Sequence, residues 1–249
     1  MGRKLQKKKN AEGDDIWNSL HDLSLLLKTF EQYGFGNANI IGKNDLEKFL
    51  SDKQRELIGS NIQFVKHVEI TKLFFSFKAE QISVIPHELN YVNVLLSLSY
   101  DYSEPYLKNE DVFSDYQLDI EIKGDGDKTF AWHLDREEKT NGKYIHPLYH
   151  FHGGGDKIEN LNSGDLLILR SPRLPHPPMD LFLAIHFILE NFLNTKTYLT
   201  QMRIFEDPTY KDIMIRAQQR LLDPYYEAIV DKDRKDGYYV PHNLCPLYI

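Results

Sequence analysis

Three runs of strand-forming residues, Tyr116–Lys123, Thr129–Asp135 and Tyr144–His152, follow one another with only turns between them. The first connection is the Gly-Asp-Gly-Asp turn Gly124–Asp127, and the second contains Asn141–Gly142. Parallel pairing needs a crossover of about a dozen residues or more, usually a helix. No crossover helix fits these connections, so the runs are predicted to form an antiparallel meander.

Strand signals extend to both sides. Phe64 to Phe77, Gln81–Ile85 and Tyr91–Tyr102 are rich in β-branched and aromatic residues, and Asp165–Arg170 is a short apolar run. Helical spacing appears elsewhere. Ile16, Leu20, Leu23, Leu27 and Phe30 predict a helix over 14–33 that stops at Gly34 and Gly36. Leu46, Phe49, Leu50 and Leu57 predict a second over 44–57. Pro177 and Pro178 are expected in the first turn of a helix over 178–194. A last helical region spans 208–230, where Pro224 is expected to break or kink it.

The expectation is an α+β fold, with an antiparallel meander of about five to seven strands packed by the 178–194 helix and flanked by terminal helices. Residues 1–12 read as a flexible basic tail, 13–200 as the core domain and 201–249 as a helical extension packed on it.

A net charge of −7 argues against a broad nucleic-acid-binding face, which needs clustered Lys and Arg. It leaves room for a local RNA or nucleotide contact. The single cysteine, Cys245, allows no internal disulfide framework. The basic N-terminal residues lead into no apolar leader region, and no apolar stretch reaches the ~20 residues a membrane helix requires. A cytoplasmic chain without a membrane span is expected.

Six of the ten histidines fall between residues 133 and 186: His133, His146, His150, His152, His176 and His186. The densest segment is His146-Pro-Leu-Tyr-His150-Phe-His152-Gly153. Alternate strand residues share a face, so His146, His150 and His152 are expected to project together. Two imidazoles so spaced can converge on a divalent transition metal, with a third ligand from His133, His146, Asp135 or His176. A second reading is metal-free acid–base cleavage of a phosphodiester by His146, His150, His152 and His176, with Arg173 holding the phosphate. A third is purely structural, the histidines hydrogen-bonding to backbone or tyrosine. His186 and Glu190 are spaced as a helical surface pair.

His150-Phe-His152-Gly153, the arginine–proline segment Arg170–Pro178 and the Leu-, Ile- and Phe-rich helix after it resemble a bacterial protein family without an assigned activity; the match covers 144–194. The His-x-His strand is also similar to that of small toxins of toxin–antitoxin pairs. The first metal motif of cupins is matched only in part, because Glu159 lies too far beyond His152 and a helix stands where a cupin has strands. The resemblance implies an accessory component of a bacterial defence or toxin–antitoxin module that acts through a protein partner. The alternative is a hydrolase or nuclease using the histidine cluster, with or without a metal.

Overall fold

The computed structural model describes residues 19–59, 67–79, 89–102, 112–126, 128–137, 147–154, 173–194, 196–231, 233 and 240–245. Among the described residues, six strands form one antiparallel sheet whose spatial order follows the chain. They are β1 His67–Lys78, β2 Tyr91–Tyr102, β3 Phe113–Lys123, β4 Thr129–Arg136, β5 Tyr149–Gly153 and β6 Leu174–Pro175. The helices are α1, in which residues 19–32 lie, α2 Lys43–Gly59, α3 Leu181–Phe192, α4 Leu199–Met202, α5 Pro208–Val230 and α6 Pro241–Leu244. The sheet is the predicted meander. The expected strands at 81–85 and 165–170, the turn at Asn141–Gly142 and His146 lie outside the described residues.

One face of the sheet is apolar. Phe75, Phe77, Val94, Leu96, Leu98, Leu118, Ile120, Leu134 and Tyr149 are all buried on it, in one core with Leu23, Leu26 and Phe30 of α1 and Ala184, Ile185, Ile188 and Leu189 of α3. In β1 this face is kept by a bulge. Ile70 pairs with Leu98 but Leu73 pairs with Leu96, so one extra residue is accommodated between them. Without it, every side chain from Leu73 onward would turn to the other face. The region after residue 200 belongs to the same core: Ile204, Tyr210, Ile213, Met214, Ala217, Leu221 and Tyr225 are buried in it, and α5 packs against α3.

The end of α1 shows how the sequence stops a helix. Gly34 has φ +69°. Its N–H donates to Glu31 O at 3.1 Å, and Phe35 N–H donates to Phe30 O at 3.0 Å. This is a Schellman closure, which satisfies carbonyls that the helix leaves without partners. The apolar contact that accompanies such a closure is Phe30 against Phe35, ring centroids 4.7 Å apart. Substituting Gly34→Ala places a Cβ in the left-handed region and is expected to lower unfolding free energy by about 1–2 kcal/mol. Urea titration checks this, and an unchanged midpoint would contradict it.

One helix expectation needs correction. α3 starts at Leu181, not at the prolines, because Asp180 is its cap: the extended Asp180 accepts from Leu183 N–H at 3.0 Å. Pro177 and Pro178 precede the helix, in keeping with the extended conformation that a proline imposes on the residue before it. α5 runs as one helix through Pro224, so the proline does not break it. Its start follows the usual rule, with Asp207 accepting from Tyr210 N–H and Pro208 just inside.

Candidate metal centre

The second face of the sheet is polar toward its β3–β6 end. In the β3–β4 hairpin Asp119 stands opposite His133 and Gln117 opposite Asp135. Across the next pair His133 stands opposite His152, and Asp135 opposite His150. The two-residue period puts all of these side chains on one face, with Leu118, Leu134, Tyr149 and Phe151 on the other. The three imidazoles form a file. His133 and His152 have ring centroids 5.3 Å apart at 26°, and His150 and His152 are 5.5 Å apart at 23°.

Each ring has its own hydrogen-bond state. His133 is 9% exposed. Its Nδ1 lies 2.6 Å from Asp119 Oδ1 and its Nε2 lies 2.7 Å from the Gly154 carbonyl. Two oxygen acceptors require two N–H donors, so the ring is an imidazolium. The Asp119 hydrogen bond raises its pKa, against the opposing effect of burial. With a proton on both nitrogens, His133 has no lone pair for a metal.

His150 is 2% exposed. Burial lowers its pKa below the ordinary histidine value, opposed by the bond to Pro147 and by the charge of Asp135. Its Nδ1–H donates to Pro147 O at 3.2 Å, so the lone pair of the neutral ring is on Nε2. His152 Nε2 lies 2.9 Å from Asp135 Oδ2. Its Nδ1 is buried and has no hydrogen-bond partner among the described residues. One nitrogen from each of His150 and His152 and one oxygen of Asp135 all lie within 4.8 Å of one another.

The remaining expected site residues are placed differently. His176 donates from Nδ1 to Pro177 O at 2.6 Å and lies against Phe151, ring centroids 5.5 Å apart. Phe151 belongs to the apolar face, so His176 is not gathered with His150 and His152. His186 contacts the Tyr210 hydroxyl at 2.9 Å and Glu190 at 3.2 Å on α3, remote from the file. Arg173 stands at the start of β6. The β5–β6 register pairs His150 with Pro175 and Phe151 with Leu174. Arg173 immediately precedes the paired residues, near enough to His150 for its charge to be felt by that ring. Its Nε is buried without a hydrogen-bond partner among the described residues.

An apolar hollow lined by Leu20, Leu23, Phe49, Tyr100, Tyr102 and Phe182 lies between α1, α2 and the core face of the sheet, away from the histidines. No described helix is long and apolar enough to cross a membrane. Sequence reasoning named Asp135 as one of several third ligands and missed Asp119. The observed hairpin register is centred on residue 126, pairing Asp119 with His133 and Gln117 with Asp135; the turn expected at 124–127 is centred half a residue earlier and would have paired Asp119 with Trp132.

The titrations set the expected pH dependence. Burial lowers the pKa of both His176 and His186, with Glu190 opposing the shift at His186. A histidine whose folded pKa is depressed contributes stability above the unfolded value of about 6.5, lost as pH falls through the folded value. His133 has the opposite sign: its contribution is complete below about 6.5 and is lost as pH rises through its raised folded pKa. The unfolding midpoint is therefore expected to fall between pH 7 and pH 5.5, and His176→Phe is expected to flatten that fall. Equal midpoints at the two pH values would contradict the assignment.

No family model, curated protein or solved structure matches the chain. The fold and the site define its class: an α+β protein built on a six-stranded antiparallel meander that carries an Asp–His–His cluster on its polar face.

Proposed function

We propose that this chain holds a divalent transition metal at Asp135, His150 and His152, and that the metal supports a binding role rather than turnover. The observation that carries the reading is the convergence of one donor atom from each residue within 4.8 Å. The tautomers support it. Metal-ligating histidines usually direct their second ring nitrogen at an oxygen, and His150 does so through Nδ1 and Pro147 O. His152 Nε2 and Asp135 Oδ2, 2.9 Å apart as a hydrogen bond, would have to separate by only about 0.5 Å to reach the spacing of two ligands around one tetrahedral ion with bonds of about 2.0–2.2 Å. The mix of two imidazoles and a carboxylate suits zinc, iron or manganese.

Burial supports a role other than turnover. His150 is 2% exposed and the His152 side chain 10%, and a nucleic-acid phosphodiester has to reach such groups to be cleaved by them. A metal here ties β4 to β5 and stiffens the end of the sheet beside the short edge strand β6. In the setting that the resemblance implies, that edge is where a partner protein of a defence or toxin–antitoxin module would dock. Equilibrium dialysis of chelator-stripped full-length protein against zinc, manganese or cobalt tests the reading. One ion per chain is expected, and no stoichiometric binding of any of the three would overturn it.

A further inference from the structure

Helix α5 carries two apolar stripes. Ile213, Met214, Ala217, Leu221 and Tyr225 are buried against the core on the first. Ile215, Leu222, Tyr226 and Val230 form the second, spaced seven, four and four residues apart. At 3.6 residues per turn these four lie within about 80° of one another, nearly opposite the buried stripe. Ile215 is 48% exposed, Tyr226 54% and Val230 75%. Three of the seven large apolar side chains exposed among the described residues thus share one face of one helix. Single exposed apolar residues are ordinary, but a continuous stripe marks a surface that meets another molecule.

The charges beside the stripe say which molecule. Asp212, Arg216, Asp223 and Glu227 run along one flank. The Arg216 side chain is 40% exposed. Asp22 of α1 takes its Nε and Nη2, which leaves Nη1 for a second carboxylate. A second copy of the chain supplies that group when the two α5 helices lie antiparallel. A two-fold axis perpendicular to the helices brings the same flank of both copies together in reverse order. With Ile215 of one copy level with Tyr226 of the other, Arg216 falls between Asp223 and Glu227 of the other copy. The two Leu222 side chains then meet near the axis, and the methylenes of Lys211 cover Val230 of the other copy. A parallel pairing offers Asp223 and Glu227 only Arg220 at their own level, and Asp180 already holds that guanidinium. The acidic flank also disfavours a lipid surface, since interfacial helices carry Lys and Arg beside their apolar face.

We propose that α5 is the contact surface of a homodimer, paired antiparallel through Ile215, Leu222, Tyr226 and Val230. The stripe is about 22 Å long at 1.5 Å per residue. One helix pair of that length is at the small end of specific interfaces, below about 1,200 Å² in total, so the dimer is weak and reversible. The contact is independent of the metal reading.

Sedimentation velocity of the full-length protein across micromolar concentrations tests the proposal. A monomer–dimer equilibrium is expected, with a midpoint of about 10–100 µM. Ile215→Glu and Tyr226→Glu are each expected to weaken it by about tenfold or more, with unchanged circular dichroism because both positions are exposed. Leu199→Glu, at an exposed apolar residue of α4, is expected to leave it unchanged. Direction is read by cross-linking. Ile215→Cys and Tyr226→Cys, each combined with Cys245→Ser, are mixed under mild oxidation. The disulfide between the two variants is expected to form faster than either like-with-like disulfide. Faster like-with-like disulfides would mean a parallel contact and overturn the proposal. A monomer at every concentration, or a midpoint that neither Glu variant moves, overturns it too. A monomer that floats with phosphatidylcholine vesicles would give the stripe to a lipid surface instead.

Discussion

In His150→Ala, the affinity of the full-length protein for zinc is expected to fall by more than about a hundredfold. Losing an outer-shell partner of a metal ligand costs about 10–100-fold in affinity, and losing a ligand costs at least that. His152→Ala and Asp135→Ala are expected to behave alike, since each supplies one of the three converging donors. Two further variants make the assignment specific. His133→Gln removes a ring whose nitrogens bond Asp119 and the Gly154 carbonyl rather than a ligand, and is expected to weaken the metal by less than about tenfold. His176→Ala removes a ring on the other face and is expected to leave affinity unchanged. Because His150 is buried, His150→Gln is measured alongside, with circular dichroism to confirm folding. Equal losses in His176→Ala and His150→Ala would mean that affinity tracks stability, and the ligand assignment would fall.

The second large effect is on stability and sits on the core side. Asp180 is buried and does two jobs with two oxygens. Oδ1 accepts from Leu183 N–H at 3.0 Å, capping α3. Oδ2 accepts from Arg220 Nη2 at 2.9 Å, tying α5 to the start of α3. The Arg220 guanidinium also lies 5.9 Å from the centroid of the Phe182 ring. Burial lowers the pKa of Arg220, and the charge and hydrogen bond of Asp180, with smaller effects of Tyr102 and Tyr100, together raise it above the ordinary value. Removing one partner of a buried ion pair leaves the other charge uncompensated, at a cost of about 3–5 kcal/mol. Losing a side-chain cap adds about 1 kcal/mol. Asp180→Ala is therefore expected to cost about 4–6 kcal/mol, a large part of the stability of most domains. Asp180→Asn keeps the cap acceptor and is expected to cost less. Adding Arg220→Met to Asp180→Asn is expected to recover much of the remaining loss, because no buried charge is left. Denaturant unfolding of the set checks this; a cost under about 1 kcal/mol for Asp180→Ala would contradict the account.

How much of this the chain reveals in advance depends on the range of the interaction. The β3–β4 hairpin is local: its turn residues and flanking strands lie within a few positions of each other, so it was legible. The helix containing 208–230 was legible for the same reason. The bulge between Ile70 and Leu73 was not, because it exists to keep Leu73 and Phe75 on a face defined only by β2. Strand β6 was not legible either. Two residues, one of them proline, carry no period, and only β5 beside them makes them a strand. The start of α3 was misplaced because Pro177 and Pro178 satisfy a first-turn rule that Asp180 satisfies better.

The site divides in the same way. Alternation within β5 was enough to put His150 and His152 on one face. Pairing them with Asp135 needs the β4–β5 register, which is set across a connection of irregular sequence. The removal of His133 from the ligand set depends on Asp119 and the Gly154 carbonyl, two contacts from different strand ends. The turning of His176 toward Phe151 follows from the Pro177 carbonyl that holds its ring. None of these is visible as spacing.

The claim that two imidazoles and one carboxylate meet at a single ion can be read directly by X-ray absorption at the zinc edge of the loaded, full-length protein. The account predicts a first shell of nitrogen and oxygen at about 2.0–2.2 Å with outer-shell scattering from two histidine rings, reduced to one ring in His152→Ala. A first shell of oxygen alone, with no imidazole scattering, would contradict it.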